Sequence, residues 1–370
     1  MQGTMSQTPS RDAALDVFRC VLMFLVVLHH AAFHGIYAGR TAYWSLPLLF
    51  TSLIVWHVDG FIALSGWFGL RPTTFRVCRI LGMILFYSGI RFIYLYFFLH
   101  EPLRVAVRLS GGWFGNWYLV FLFAAPFVDA AIRRILRGGT RRGLSLLFAF
   151  DIAMTTHWVA GQYFPEWGIR ASGFSVSTFL LVYANVRFVR MSGLDAVIPP
   201  WFIPFSAVAF SFGALLCAVL PAASVLVREG SVPQVAALGH STYNAPHVAL
   251  MAFAMLLFFE RRLRPSPWLA RTCSRLSPLM FGVYLAHTQT GVGVELYAIP
   301  ERWLAVQTSL HPVVIVLCGA VVTFSASAFA DYARHRLFVR LRSAMAPPCR
   351  TIDNRIRSLV SALDFRHLVW

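Results

Sequence analysis

The sequence has little charge and no lysine. Only 13% of its 370 residues are charged, 58% are hydrophobic, and all 32 basic residues are arginines. An ordinary soluble domain carries roughly 25% charged residues, so this composition excludes one. Repeated apolar runs instead predict an all-α, polytopic integral membrane protein.

The cysteines lack the patterns of metal-binding and disulfide-rich proteins. Six are present, with no Cys-x-x-Cys pair and no other metal-ligand spacing among them. Cys20, Cys217 and Cys318 lie in apolar segments, and the other three lie in basic stretches that we expect to face the cytosol. Neither a disulfide framework nor a bound metal is therefore expected.

Ten segments are apolar and long enough, at roughly 20 residues, to cross a bilayer. With a cytoplasmic N-terminus, the even-numbered loops between them hold fifteen arginines and the odd-numbered loops hold six. Arginine collects in cytoplasmic loops, so this alternation predicts about ten transmembrane helices with both termini cytoplasmic. The segments are residues 14–35, 44–70, 80–99, 113–132, 143–163, 171–187, 201–226, 243–260, 277–298 and 311–333.

These segments divide the chain into two parts. Residues 1–335 form one transmembrane domain, and residues 336–370 form a basic cytoplasmic tail. In the tail, Pro347 and Pro348 predict a break in the chain before Thr351. We expect a short amphipathic helix after the break, lying on the inner leaflet.

The formal net charge of +17 raises the question of a nucleic-acid partner. The topology already accounts for most of the arginines, because they lie in the loops predicted to be cytoplasmic. We therefore expect membrane lipids with anionic head groups as partners, and no nucleic acid.

The first predicted span carries ionisable side chains that a membrane segment usually avoids. Arg19 and His30 are eleven positions apart, which on a helix places them within ~20° of one face and ~16 Å apart along the axis. Such groups usually face a protein interior or a wet cavity and indicate function. Asp16 is a local partner for Arg19, and His29 adjoins His30.

Two other interpretations of this span stay open. Arg19 can mark the cytoplasmic border while the histidines reach towards the outer surface. His30 and His34, four positions apart, can also share a helix face as a zinc pair. No third ligand is evident nearby, which weakens the zinc interpretation.

The second span contains HVDGFIALSGWFGL, residues 57–70. Asp59 needs a partner inside the membrane, such as His30 or an arginine. Ser65 and Gly66 are small, which allows another helix backbone to approach closely.

The third span opens with Arg76 and Arg79, which share one helix face. Two guanidinium groups at this spacing form a fork suited to phosphate. The alternative is that they only follow the general preference of arginine for the cytoplasmic boundary.

Two further segments carry candidate site residues. Trp117 and Tyr118, at the start of the fourth span, are either membrane anchors or the wall of a sugar or acyl site. Tyr284 and His287, three positions apart in the ninth span, share a helix face and add a second intramembrane histidine.

Five of these features occur in one order. LDVFR is followed by a histidine eleven places after its arginine, and then come FIALSG, the Arg-x-x-Arg pair, NWYLVFLFAAP and FGVYLAH. In this order and at this spacing they resemble the integral-membrane acyltransferase 3 family. The resemblance covers about residues 11–335.

The resemblance implies a ten-helix protein that takes an acyl group, usually acetyl, from cytoplasmic acyl-CoA. The acceptor would be a hydroxyl of a carbohydrate or lipid-linked glycan, and the location a cell membrane, the bacterial inner membrane in particular. The family's critical arginine and histidine correspond to Arg19 and His30, since the ten-residue gap selects His30 over His29. Its Arg-x-x-Arg pair corresponds to Arg76 and Arg79. The resemblance leaves open whether the group is acetyl or succinyl.

On this basis we expect acyl transfer from a thioester to an alcohol. His30 is the candidate base or covalent relay, because imidazole gains and loses a proton near physiological pH. Its neutral form is also the one that a poorly hydrated span tolerates. Arg76 and Arg79 would hold the phosphates of acetyl-CoA or another acyl-CoA. Arg19 would guide the pantetheine arm or stabilise oxyanion charge.

Two other functions compete with this interpretation. A transporter or flippase would use intramembrane arginine and histidine to line an ion or lipid pathway. A signalling or scaffold protein without catalysis would tolerate replacement of His30.

Overall fold

The computed structural model describes residues 12–37, 53–70, 72–111, 117–163, 175–214, 243, 245–289 and 312–362. The regular elements in these ranges are helices, and no strand occurs among them. In chain order the α-helices are α1 (Ala13–Tyr37), α2 (His57–Phe68), α3 (Thr74–Ile93), α4 (Leu103–Gly111), α5 (Trp117–Leu136), α6 (Thr140–Tyr163), α7 (Val176–Ser192), α8 (Phe202–Ala214), α9 (Pro246–Arg262), α10 (Pro267–Leu276), α11 (Met280–Gln289) and α12 (Pro312–Ala362).

Each of the ten predicted membrane segments contains a described helix. Four stretches are long and apolar enough to cross a membrane by length and composition. The all-helical membrane class is therefore confirmed, whereas the number of ten crossings and the orientation of the termini stay predictions. The four stretches are Ala13–Ala32, Thr74–Phe98, Gly143–Ala160 and Val316–Val339.

Two short helices, α4 and α10, were not predicted from the sequence. They contain only 9 and 10 residues, too few for a membrane-length search to detect. The start of α10 carries ordinary signals, because the Ser266 side chain accepts a hydrogen bond from the Leu269 backbone N–H and Pro267 is the first helical residue. This helix packs against α1.

Helix α1 lies at the centre of the bundle. It contacts α2, α9, α10, α11 and α12, and its Phe18, Leu22 and Val27 are fully buried. The side chain of Asp12 accepts hydrogen bonds from the backbone N–H groups of Ala14 and Leu15, at 2.9 and 3.3 Å, which fixes where the helix begins. The most unusual membrane segment in the sequence therefore lies in the interior of the protein.

Helices α2 and α7 pack closely at Gly66. A Cβ atom on Gly66 would lie 2.9 Å from the backbone oxygen of Tyr183, so only glycine fits without a shift. The Tyr183 hydroxyl then accepts a hydrogen bond from the Leu70 backbone N–H at 3.2 Å and donates one to Asp129 at 2.7 Å. The close approach predicted for this small-residue step is confirmed, and it anchors the end of α2.

A buried ion pair joins α3, α11 and α12. Asp331 is fully buried, pairs with Arg334 at 2.6 Å and accepts a hydrogen bond from the Tyr87 hydroxyl at 2.8 Å. A Cβ atom on Gly282 would overlap the Asp331 carboxylate, so α11 packs this close to the pair because the residue is glycine. The contact fixes the position of α11, which carries His287.

The predicted break at Pro347 and Pro348 is wrong. Helix α12 runs for 51 residues through both prolines to Ala362, and Thr351 lies inside it instead of capping a new helix. Tertiary contacts support this part of the helix, because Asp353 Oδ1 accepts hydrogen bonds from the Thr74 backbone N–H at 2.8 Å and from Thr74 Oγ1 at 2.6 Å. The end of α12 therefore packs against the start of α3, while its contact with the inner leaflet stays a prediction.

Candidate active site

A cavity of about 400 Å³ lies among α1, α2, α3 and α11. Its wall combines residues from distant parts of the chain, including several of those predicted from the sequence to be functional. These are Arg19, His30, Ser65, Arg76, Arg79 and Tyr284, and the wall also contains His57, Tyr243 and Ser277.

The cavity has two chemically different ends. Its arginine end is formed by Arg19, Arg76 and Arg79, and its histidine end by His30 and His57. Helix geometry separates Arg19 from His30 by ~16 Å along α1. Helix α2 runs between the same ends, since it begins at His57 and finishes shortly before α3 begins.

At the arginine end, Arg19 is held by two hydrogen bonds. Its Nη1 donates to Asp16 Oδ1 at 3.1 Å and to Ser277 Oγ at 2.6 Å. The other Asp16 oxygen accepts a hydrogen bond from Ser274 Oγ at 3.1 Å. The predicted pairing of Asp16 with Arg19 is present, and the two serines, in α10 and directly after it, fix the pair to a distant part of the chain.

Arg76 and Arg79 lie in the first two turns of α3 and are exposed. The Thr73 side chain caps this helix by accepting a hydrogen bond from the Arg76 backbone N–H. Both arginines therefore lie near the start of α3, where Thr73 caps the helix and Asp353 accepts hydrogen bonds from Thr74. They present charge where a water-soluble anion can reach it.

At the histidine end, His30 and His287 contact each other directly. His30 Nδ1 lies 3.0 Å from His287 Nε2, and His287 Nδ1 lies 2.6 Å from the backbone oxygen of Val283. His287 is buried, with 3% of its surface exposed. The Tyr284 ring lies edge-on to the His287 ring, with 6.0 Å between the ring centroids.

The two adjacent histidines of α1 point to different partners. His30 lines the cavity, whereas the His29 ring lies edge-on to His57, with 5.0 Å between centroids. His57 is buried and lies 6.1 Å from the Tyr243 ring. Within the described part of the chain, neither ring nitrogen of His57 has a hydrogen-bond partner. Of the two adjacent imidazoles, only His30 combines a place in the cavity wall with a hydrogen bond to His287.

The partner predicted for Asp59 is not found. Asp59 is fully buried, and among the described residues neither carboxyl oxygen has a hydrogen-bond partner, so it pairs with neither His30 nor an arginine there. Helix periodicity explains the difference, because Asp59 lies two residues after His57 and so points away from the face that His57 presents to the cavity.

Some predicted residues lie outside the described structure. Helix α5 begins at Trp117, but the side chains of Trp117 and Tyr118 are not described, and neither is that of His34. In the parts of the chain that are described, no group of three His, Cys, Asp or Glu side chains is arranged to hold a metal ion.

Sequence reasoning missed three residues of the cavity wall: His57, Tyr243 and Ser277. His57 had a usable signal, because it is an ionisable residue in an apolar segment, like the histidines of the first span. Tyr243 and Ser277 had none, since tyrosine and serine are common at the ends of membrane helices.

The sequence of the chain matches a known protein family. The family model described as an acyltransferase domain, that of the acyltransferase 3 family, matches residues 12–331, which is most of the chain. This chain belongs to the acyltransferase 3 family. Acyltransferase 3 membership makes the protein a membrane acyltransferase and confirms the resemblance noted in the sequence. The comparisons with curated proteins and with solved structures found no match.

Proposed function

We propose that this membrane acyltransferase is an O-acyltransferase that moves an acyl group, acetyl foremost, from cytoplasmic acyl-CoA to a hydroxyl of a carbohydrate or lipid-linked glycan. In this reaction the thioester C–S bond breaks and an ester C–O bond forms. The proton of the acceptor hydroxyl ends on the sulfur of CoA. Such a reaction needs a cationic site for the CoA phosphates and a base or nucleophile near the thioester.

The observation that supports the proposal most is the shared cavity. Arg19, Arg76, Arg79 and His30 come from two helices, and all four line one space of about 400 Å³. The ~16 Å between Arg19 and His30 along α1 is about half of the ~30 Å hydrocarbon core of a bilayer. A long, thin donor such as acyl-CoA could keep its phosphates at the inner surface while its thioester lies near His30.

Arg76 and Arg79 are suited to hold the donor phosphates. Their exposure makes them accessible from water, and two guanidinium groups on adjacent turns can each donate a pair of hydrogen bonds to phosphate oxygens. An acetyl group is small and uncharged, so the recognition of an acetyl-CoA donor falls mainly on its phosphates.

Arg19 is suited to a role nearer the chemistry. Its hydrogen bonds to Asp16 and Ser277 reduce the freedom of its side chain, and a fixed cation is the arrangement that stabilises developing negative charge. In our proposal Arg19 either guides the pantetheine arm or stabilises the oxyanion that forms at the thioester carbonyl.

His30 is our candidate for the group that activates the acceptor. Its imidazole lines the cavity, and the neutral form is favoured away from water because a buried charge is costly. His30 either removes the proton of the acceptor hydroxyl or accepts the acyl group and passes it on.

The test is to replace His30 by Ala and analyse surface glycans by mass spectrometry. Cells with the wild-type protein should show an acetyl or succinyl increment on a glycan, and cells with His30→Ala should lose it. The matched control is His157→Ala, since His157 is a half-buried histidine of α6 that does not line the cavity. A normal increment from His30→Ala, at an equal amount of protein in the membrane, would contradict the assignment.

A further inference from the structure

The hydrogen bonds of His287 determine which of its nitrogens carries a proton. The Val283 backbone oxygen, 2.6 Å from His287 Nδ1, can only accept a hydrogen bond. Nδ1 of His287 must therefore carry the hydrogen. A neutral imidazole has one N–H group, and burial away from water favours the neutral form. Nε2 of His287 is then the unprotonated nitrogen and acts as an acceptor.

The tautomer of His287 fixes that of His30. Its Nδ1 lies 3.0 Å from His287 Nε2, and an acceptor there needs a donor opposite it. Nδ1 of His30 therefore donates, and the remaining nitrogen, Nε2, keeps its lone pair. Since His30 lines the cavity, this assignment places the Nε2 lone pair on an imidazole of the cavity wall.

We propose that His287 is a positioning residue that holds His30 in the tautomer with the proton on Nδ1 and the lone pair on Nε2. The catalytic consequence rests on the proposed function, since it takes His30 as the base or nucleophile. The lone pair on Nε2 takes the acceptor's hydroxyl proton while that oxygen attacks the thioester carbonyl. The C–S bond then breaks, and the proton passes from Nε2 to the departing thiolate.

A neutral partner suits this location better than a carboxylate would. When Nε2 of His30 is protonated, its Nδ1–H still donates to His287 Nε2, so the imidazolium keeps its hydrogen bond. A carboxylate in the same place would need its own compensating charge in a poorly hydrated interior. Asp59, although fully buried, does not take this role, because it makes no hydrogen bond to His30.

Nitrogen-15 NMR of histidine-labelled, purified full-length protein tests the tautomer without substrate. His30→Ala identifies the His30 signals by their loss. In the wild type we expect an unprotonated Nε2 and a protonated Nδ1 on His30. His287→Gln, whose amide oxygen can still accept, should keep this pattern. His287→Leu should lose it in favour of the Nε2-protonated form, and a size-exclusion profile checks that each variant is folded.

Labelled acyl-CoA added to membranes that contain the native acceptor gives the functional measurement. His287→Leu should lower the maximal rate of acyl transfer on the order of 10²-fold. Losses of this size or larger are known for catalytic histidines held in the wrong tautomer. The half-saturating acyl-CoA concentration should not change, and His287→Gln should stay within about tenfold of the wild type. A protonated His30 Nε2 in the wild type, or an unchanged tautomer in His287→Leu, would overturn the proposal. Absence of acyl transfer by the wild type would instead contradict the proposed function and leave the tautomer result in place.

Discussion

The ionisable side chains at the two ends of the cavity differ in solvent exposure and in their partners. At the arginine end, Arg76 and Arg79 are exposed and Arg19 is partly exposed and paired with Asp16. At the histidine end, His57 and His287 are almost completely buried, and His30 contacts another imidazole instead of a carboxylate. Permanent charge is thus kept where water can reach it, while the drier part of the site uses groups that can be neutral.

This contrast fits two separate roles for the two ends of the cavity, phosphate binding at the arginine end and acceptor activation at the histidine end. A site that holds phosphates needs permanent positive charge and tolerates water, whereas a base near a thioester works best where water cannot compete as acceptor. If the roles are separate, replacements at the two ends should change different measured quantities.

The largest difference is expected between His30→Ala and the wild type. The rate of acyl transfer should fall about 10²–10⁴-fold, the usual contribution of a general base, while acyl-CoA binding stays within about twofold. Binding is measured with labelled acyl-CoA on purified protein in detergent. A comparable loss of donor binding in His30→Ala would show that the two ends do not act separately.

The double replacement of Arg76 and Arg79 by Ala should have the converse effect. We expect the half-saturating acyl-CoA concentration to rise about tenfold, which corresponds to a loss of ~1.4 kcal/mol of binding free energy. This is about the contribution of one charge-assisted hydrogen bond, because both arginines are exposed and water weakens their contacts. The maximal rate at saturating donor should change little. Replacing both by Lys keeps the charge and serves as the control. A changed requirement for acceptor, with an unchanged requirement for donor, would disprove the phosphate role.

A smaller effect is expected from Ser277→Ala. This change removes the 2.6 Å hydrogen bond between Arg19 and Ser277 but leaves the one between Arg19 and Asp16. The free energy that holds the Arg19 side chain in place should therefore fall by about 1 kcal/mol. The maximal rate of transfer should fall about fivefold. Ser274→Ala is the matched control, because the Ser274 hydroxyl donates its hydrogen bond to Asp16. Equal effects from both serines would argue against a direct role of the Ser277 contact.

The smallest effect is expected from Asp353→Ala. Asp353 accepts two hydrogen bonds from Thr74 at the start of α3, and the loss of such a hydrogen-bond partner costs about 1 kcal/mol. Because Arg76 and Arg79 follow on the same helix, the half-saturating acyl-CoA concentration should rise about twofold. Asp353→Asn, which keeps an acceptor, should behave as the wild type. A loss of maximal rate without a change in donor requirement would mean that this contact does not act through the arginine end.

Much of the site was predictable because its signals are local. The places of Arg19 and His30 on one helix face follow from their spacing, and so does the shared face of Arg76 and Arg79. The close approach at Gly66 followed from the small side chains of that step. The break predicted at Pro347 and Pro348 is wrong, because a local proline signal does not include tertiary contacts such as those between Asp353 of α12 and Thr74 of α3.

The partner of Asp59 could not be predicted for a related reason. An intramembrane carboxylate suggests a partner, but which face of α2 meets α1 depends on how the two helices pack. The structure turns His57 towards the cavity and leaves Asp59, two residues later, buried without a hydrogen bond among the described residues. Helix periodicity gives the angle between His57 and Asp59 around the axis of α2. It does not say which of the two side chains faces the cavity.

The amino-acid sequence by itself determined the class of this protein, an all-helical membrane acyltransferase, and the identity of its candidate arginines and histidine. Composition and hydropathy were sufficient for the all-helical membrane class, because membrane burial and helix periodicity act over a few turns. The acyltransferase class and the candidate residues followed from the resemblance of five sequence features to the acyltransferase 3 family. Only the tertiary structure decided that Ser277 holds Arg19 and that His287 faces His30. These pairs lie 258 and 257 positions apart in the chain, and contacts at such separation form only when the helices pack around α1.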